Sequence, residues 1–399
     1  MPLLFSRPSN TPLSVPLSRR HAAMALSAVS VAAVLSGCQY FSSVPNTIKI
    51  GVAQPLSGGL APLGNDLLNG VKLAVDELNK QGFKVGGKVV TLEVVAVDDK
   101  ANPEEGKKVA QQLVDAGVVA VIGHLNSGVS IPTAPIYAEK GIAQLAISTN
   151  PKFTELGLPT TLRLVANDNL QARAVGSFAA SNIKGMKFAV VDDGTAYGKG
   201  LADAAAKQLE GKKTIALRQS FDDKTKDFAA LAGKLKADGI EVVLSTLNDF
   251  QVIALIEALK KVDYNKSITI MGTDTLKTTE MIKYASEVAQ LVCTSPVLEP
   301  GEFAGGAAFL SAYQAAYKIP PAYGGHYAYD ATYAVSAAIR RAESANPKKI
   351  SQALRALDAY APVTGSLKWD AKGEQSYATI SVYSVTGGKW TSIVRSDQW

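Results

Sequence analysis

The chain has 399 residues, 47% of them hydrophobic, with 41 Lys and Arg against 35 Asp and Glu and a formal charge of +6. That length suits two domains better than one, and that apolar share supplies a core of adequate size. The absence of a dense Lys/Arg tract argues against nucleic-acid binding, no apolar run in the body is long enough to span a membrane, and two cysteines, Cys38 and Cys293, exclude a disulfide-dense fold.

Residues 1–17 are rich in Pro and Ser. Arg19 and Arg20 then precede a short apolar run that ends in Leu35-Ser36-Gly37-Cys38. A basic stretch, a short apolar stretch and small residues form an export signal. The Leu-Ser-Gly-Cys ending resembles a bacterial lipobox, which implies cleavage after residue 37 and lipid attachment at Cys38. Residues 1–37 are thus expected to be a lipoprotein signal peptide and 38–46 a tether. The leader holds three arginines and no acid, so the remaining 362 residues carry 38 basic against 35 acidic groups. A lipidated Cys38 cannot pair with Cys293, which reads as a small buried apolar residue.

From residue 47 strand and helix patterns alternate. Strands are predicted at 47–53, 91–97, 118–123 and 143–148. Helices are predicted at 67–80, 103–116 and from about 126 to 140. After Arg163 the rhythm restarts, with helices near 169–183, from about 198, and at 227–237 and 250–261. They alternate with strands at 187–193, 214–220, 241–246 and 267–272. Such alternation means βαβ units on parallel sheets, whose covered strands run apolar. A strand at 291–296 leads into helical stretches at 303–317, 326–343 and 349–358, and the end alternates as a hairpin. Two α/β halves imply two lobes, with ligand groups beyond the carboxyl ends of the strands.

Catalytic signatures are thin. There is no H-E-x-x-H, C-x-x-C or G-x-S-x-G, and Gly194 to Gly200 lacks the spacing of a phosphate loop. The only nucleophile–base candidate is Ser127 beside His124, and His124 reads as a loop-packing residue. The pairs Asp98-Asp99 and Asp192-Asp193 read as solvated caps or turn residues. No catalytic residue, metal site or cofactor is expected. Strand-end residues suit a zwitterion instead. Ser127 opens a helix after a buried strand, where free N–H groups attract a carboxylate. Ser148 and Thr149 follow the next strand. In the second half, Asp274 ends a strand with the carboxylate that a buried ammonium needs, and Tyr197 adds a ring and a hydroxyl.

The order and spacing of I-G-V-A-Q-P-L-S-G, V-I-G-H-L-N-S-G, T-N-P-K-F-T, D-D-G-T-A-Y-G-K-G and T-G-S-L-K-W-D are specific. Over nearly all of 47–395 the chain resembles the branched-chain amino acid (Leu/Ile/Val) binding proteins of ABC importers, type I periplasmic binding proteins in lipoprotein form. The resemblance implies two flavodoxin-like parallel-sheet lobes joined by a three-segment hinge, with crossings near 164–167, 292–297 and 368–376. Lobe 1 would comprise 47–165 and 296–369, and lobe 2 would comprise 166–295 and 370–399. Ser127 would hold the ligand carboxylate. Ser148 would offer its carbonyl, Thr149 its hydroxyl and N–H, Asp274 would pair with the ammonium, and Tyr197 would reach in from the second lobe. Leu63 and Asn248 stand where relatives often place an aromatic ring beside the ligand. Ala101 and Asn126 stand where well-known relatives carry a cysteine pair.

The function expected is that of an exported, periplasmic, monomeric solute-binding protein, lipid-anchored at Cys38. It would capture a branched-chain or other aliphatic amino acid for ABC permease subunits and would not be an enzyme. The alternative is a receptor sensing an amide or short organic acid through the same cleft.

Overall fold

The computed structural model describes residues 44–396. The export signal, its cleavage site and Cys38 lie outside the described residues. β1 (Thr47–Gln54) is followed by a small hairpin of β2 (Lys84–Val85) and β3 (Lys88–Val89), turned by Gly86-Gly87. Next come β4 (Thr91–Asp98), β5 (Ala120–Gly123), β6 (Ala143–Ala146) and β7 (Thr161–Arg163). Apart from the hairpin these strands form one parallel sheet, ordered β4-β1-β5-β6-β7. β5 and β6 are buried at every residue, while edge strand β4 is half-exposed. That is why the central strands read as unbroken apolar runs. The helices Ala61–Lys80, Gly325–Ala342 and Pro347–Arg355 cover one face through Val71, Val335 and Ile350. The helices Pro103–Asp115 and Ser127–Glu139 cover the other through Leu113 and Tyr137.

The second sheet begins with β8 (Lys187–Asp192), β9 (Thr214–Ser220), β10 (Val242–Ser245), β11 (Thr269–Gly272) and β12 (Gln290–Ser295), all parallel. A separate ribbon of β13 (Asp358–Ala361) and β14 (Gly365–Lys368) intervenes. Then β15 (Ser381–Thr386) and β16 (Lys389–Arg395), the expected terminal hairpin, add to β12 antiparallel, in the order β16-β15-β12-β11-β10-β8-β9. Both faces of this sheet are covered. The chain passes between the sheets after β7, after β12 and before β15, which gives the three-segment hinge of two parallel-sheet lobes. No helix among the described residues is long and apolar enough to cross a membrane.

Two expectations are corrected. The last predicted helix stops at Arg355, and Asp358 begins β13; with Leu357 buried, the apolar spacing there belongs to a packed turn. The carboxylates of both pairs are turn residues, as expected, each accepting from the N–H two residues on, but three of the four are not solvated. Asp99, Asp192 and Asp193 are all buried, because the strand ends on which they sit face inward. Asp192 accepts from Arg218 and Ser220, and only Asp98 acts as a partly exposed cap, accepting from the Leu56 and Lys100 N–H groups. Cys293 is buried and free, with its thiol pushed up by burial.

Two glycines let the rims form. Gly123 has φ +153°, and a Cβ there would lie 2.2 Å from the Ala53 carbonyl oxygen. At Gly198 a Cβ would lie 2.1 Å from Asp193 Oδ1, so only glycine lets the Tyr197 turn close over that carboxylate.

Candidate functional site

The loops beyond the carboxyl ends of the two sheets meet. The Asn150 amide donates to the Ala196 carbonyl at 2.6 Å, and the Tyr323 hydroxyl donates to Asp274 Oδ2 at 3.3 Å. Between them lies a small pocket. It is bordered by Leu63, Ser127, Ser148, Thr149, Tyr197, Asn248 and Asp274, so residues spread over more than 200 positions converge. Ser127, Tyr197 and Asn248 also border a wider cleft. The apolar side of the pocket is Leu60, Leu63, Leu125, Ile147 and Tyr323.

One pole offers donors. Asn126 precedes the helix Ser127–Glu139, whose first N–H groups have no intrahelical partner. The Ser127 hydroxyl oxygen accepts from the Asn150 N–H at 3.2 Å, which leaves its own proton free to donate. The Ser148 hydroxyl is buried without a partner, as is the Asn126 side-chain oxygen. The Ser148 carbonyl, expected to face a ligand, already accepts from the Arg163 guanidinium.

The other pole is a carboxylate. Asp274 is 4% exposed and accepts from Tyr197 at 2.7 Å, Gln171 at 3.0 Å and Tyr323. Burial raises its pKa, and the Tyr197 and Gln171 hydrogen bonds oppose the rise. Tyr197 also shares a 2.8 Å hydrogen bond with Thr273, so its hydroxyl is held by two neighbours. Asn248 starts the helix Asp249–Lys261 and donates to Asp193 Oδ2 at 3.3 Å. Burial pushes the Asp193 carboxyl up to about 6, against the pull of the Thr195 hydrogen bonds.

His124 and Ser127 are not joined. His124 Nδ1 shares a 2.6 Å hydrogen bond with Asp99, and its Nε2 meets the Tyr137 hydroxyl at 3.2 Å. The histidine is fully buried and is spent on packing the loop, as its reading as a loop residue implied.

Sequence reasoning missed Asp168, Gln171 and Tyr323. Asp168 opens the helix Asp168–Asn182, and its carboxyl is buried beside the Thr149 side chain. Burial first, and then the nearby Asp274 carboxylate, push its pKa up to about 8. The signal was the polar run N-D-N-L-Q at a helix start, which any solvated cap also shows. Tyr323 sits in the P-P-A-Y-G-G turn and is held by Asp66, which accepts from the N–H groups of Tyr323 and Gly325 and from the Tyr313 hydroxyl at 2.7–3.0 Å. Asp66→Ala leaves three buried donors unpaired and is expected to cost about 3 kcal/mol or more, measured as a lower urea midpoint; an unchanged midpoint would remove Asp66 as the anchor.

The sequence matches the model of the family described as "Periplasmic binding protein" over residues 47–389. "Leu/Ile/Val-binding protein homolog 2" of Brucella abortus is 33% identical over 345 residues, covering 86% of this chain and 91% of its own. Among solved structures, the ABC transporter substrate-binding protein of Desulfitobacterium hafniense in complex with Leu is 26% identical with a TM-score of 0.68, covering 87% of this chain and 100% of its own. The branched-chain amino acid transporter substrate binding protein LivJ from Streptococcus pneumoniae, in complex with isoleucine, shares the fold with a TM-score of 0.77 at 24% identity, covering 88% of this chain and 98% of its own. With two parallel-sheet lobes, a three-segment hinge and a polar pocket between strand ends, this chain belongs to the periplasmic binding protein family.

Proposed function

We propose that this protein captures a small L-amino acid with an aliphatic side chain and presents it to the permease of an ABC importer, tethered to a membrane by lipid at Cys38. The observation that carries the reading is the pairing, across one buried pocket, of a helix start bearing Ser127 with the carboxylate of Asp274. A zwitterion satisfies both poles: its carboxylate takes the Ser127 hydroxyl and the N–H groups there, and its ammonium takes Asp274. Its side chain lies against Leu60, Leu63, Ile147 and Tyr323, with Asn248 at the rim. The name of the Brucella abortus relative, a Leu/Ile/Val-binding protein homolog, and the leucine complex of the Desulfitobacterium hafniense protein support the same class. A lobe of 47–165 with 296–369 and a lobe of 166–295 with 370–399 close on the ligand through the hinge. An amide or organic acid without an ammonium leaves Asp274 buried with no cation, which disfavours the sensing alternative.

The deciding experiment is calorimetry of the purified protein against a panel of L-amino acids including leucine, isoleucine, valine, alanine and threonine. Micromolar or tighter binding of at least one aliphatic member is expected. Failure of every member would overturn the reading. Acyl transfer to Cys38 is tested separately: labelled palmitate is expected to be incorporated by the native chain and not by Cys38→Ala.

A further inference from the structure

Arg163 ends β7 and is fully buried, yet it spends its guanidinium on loops and not on the sheet. Nη1 donates to the Ser148 carbonyl. Nη2 donates to the Asn150 carbonyl at 3.0 Å and to the Thr154 hydroxyl at 3.2 Å. Glu374 closes the fork from the opposite side, accepting from Nε at 2.9 Å and from Nη2 at 3.2 Å. The main chain of Arg163 is pinned to the same segment: its N–H donates to the Gly373 carbonyl at 2.8 Å, and its carbonyl accepts from the Trp369 indole at 2.7 Å. Glu374, Gly373 and Trp369 all belong to the chain's last passage between the sheets.

A buried arginine paired with a glutamate is ordinarily a packing device. Two facts set this one apart. Its carbonyl acceptors belong to residues 148 and 150, which flank Thr149 in the wall of the pocket. And the Thr149 N–H finds no acceptor among the described residues. The Ser148 carbonyl and the Thr149 N–H are two ends of one peptide group. A charge-assisted bond to the carbonyl draws electron density toward it and makes the N–H a stronger donor. The guanidinium thus acts on the pocket wall through this peptide group, without touching the ligand.

We propose that Arg163 is the positioning residue of the carboxylate site, fixing and polarising the 148–150 loop, and that Glu374 braces it against the hinge segment. The assignment rests on the amino-acid reading above. Because the fork geometry matters, lysine does not replace it: an ammonium cannot reach both carbonyls and Glu374 together.

The test compares wild type, Arg163→Lys, Glu374→Gln and Glu374→Asp. L-leucine, L-isoleucine and L-valine are titrated into each, and amide hydrogen exchange of segment 148–154 is followed without ligand. Arg163→Lys is expected to bind at least about tenfold more weakly, the scale of one charge-assisted hydrogen bond lost. Glu374→Gln, whose partly exposed side chain keeps its shape, is expected to fold, to bind more weakly and to exchange faster only in that segment. Glu374→Asp is expected to recover part of both. Wild-type affinity and exchange in Arg163→Lys and Glu374→Gln would overturn the assignment, as would exchange that quickens throughout the chain. If wild type binds none of the three amino acids, the functional reading fails separately, and exchange still decides: an unchanged 148–154 segment overturns the role of Arg163, and a selectively faster one upholds its hold on the loop.

Discussion

Asp274→Ala is expected to weaken amino-acid binding at least about a hundredfold, because an ammonium buried without its carboxylate forfeits several kcal/mol. Asp274→Asn is the sharper version. It keeps the volume and the oxygen that accepts from Tyr197 and Gln171 at 2.7 and 3.0 Å, and removes the charge together with the acceptor of the longer Tyr323 hydrogen bond. Folding should survive, since burial already disfavours the ionised form of this group. Calorimetry with the amino acid that binds wild type measures the loss, and thermal melts of the free proteins show whether the fold is intact. Wild-type affinity in a folded Asp274→Asn protein would take Asp274 out of the site.

The second large effect is a proton count. The Asp168 carboxyl is pushed up to about 8 in the folded chain, first because it is buried and then because Asp274 stands nearby; a hydrogen bond from Thr149 and then Arg163 pull the other way, and Glu374 adds to the rise. An unfolded aspartate releases its proton near pH 4. Between those values the folded state binds more protons than the unfolded state, so stability falls as pH rises through that window. Its contribution is fully present below about pH 4 and is lost by about pH 8. A bound ammonium reverses the balance, because it favours the ionised carboxyl. Ligand binding at pH 7 is therefore expected to release up to one proton, and affinity to rise with pH until about 8. Asp168→Asn should flatten the stability slope and reduce the proton release, measured by titration in buffers of different ionisation enthalpy. Equal proton release by wild type and Asp168→Asn would rule out this coupling.

The fold was legible because its signals are local. Short, β-branched apolar runs such as V-V-A-V-I-G suit strands covered on both faces, and their alternation with helical spacing points to parallel sheets. The short hairpin at Lys84–Val89 and the ribbon at Asp358–Lys368 escaped. Two to four residues carry too little periodicity to separate strand from turn, and Leu357 completed a helical pattern that the backbone had already left.

The site was legible in part for the same reason. Ser127, Ser148, Thr149, Tyr197 and Asp274 stand directly after strands, where topology alone directs attention. Asp168, Gln171 and Tyr323 stand on a hinge helix and in a proline–glycine turn. Nothing in N-D-N-L-Q or P-P-A-Y-G-G shows that Gln171 and Tyr323 converge on Asp274. Burial was also hidden: Asp99 and Asp192 look like surface caps until His124 and Arg218 arrive from other strands.

By itself the sequence determined the two α/β halves, their order, the strand ends where ligand groups could lie, and the poverty of catalytic motifs. It did so because periodicity and turn chemistry act over a few residues. Only the tertiary structure decided which strand ends face each other, that Arg163 reaches the Ser148 carbonyl, and that Asp168 is buried near Asp274. Those outcomes depend on contacts between residues far apart in the chain, where burial changes the energy of a charge and no local pattern records it.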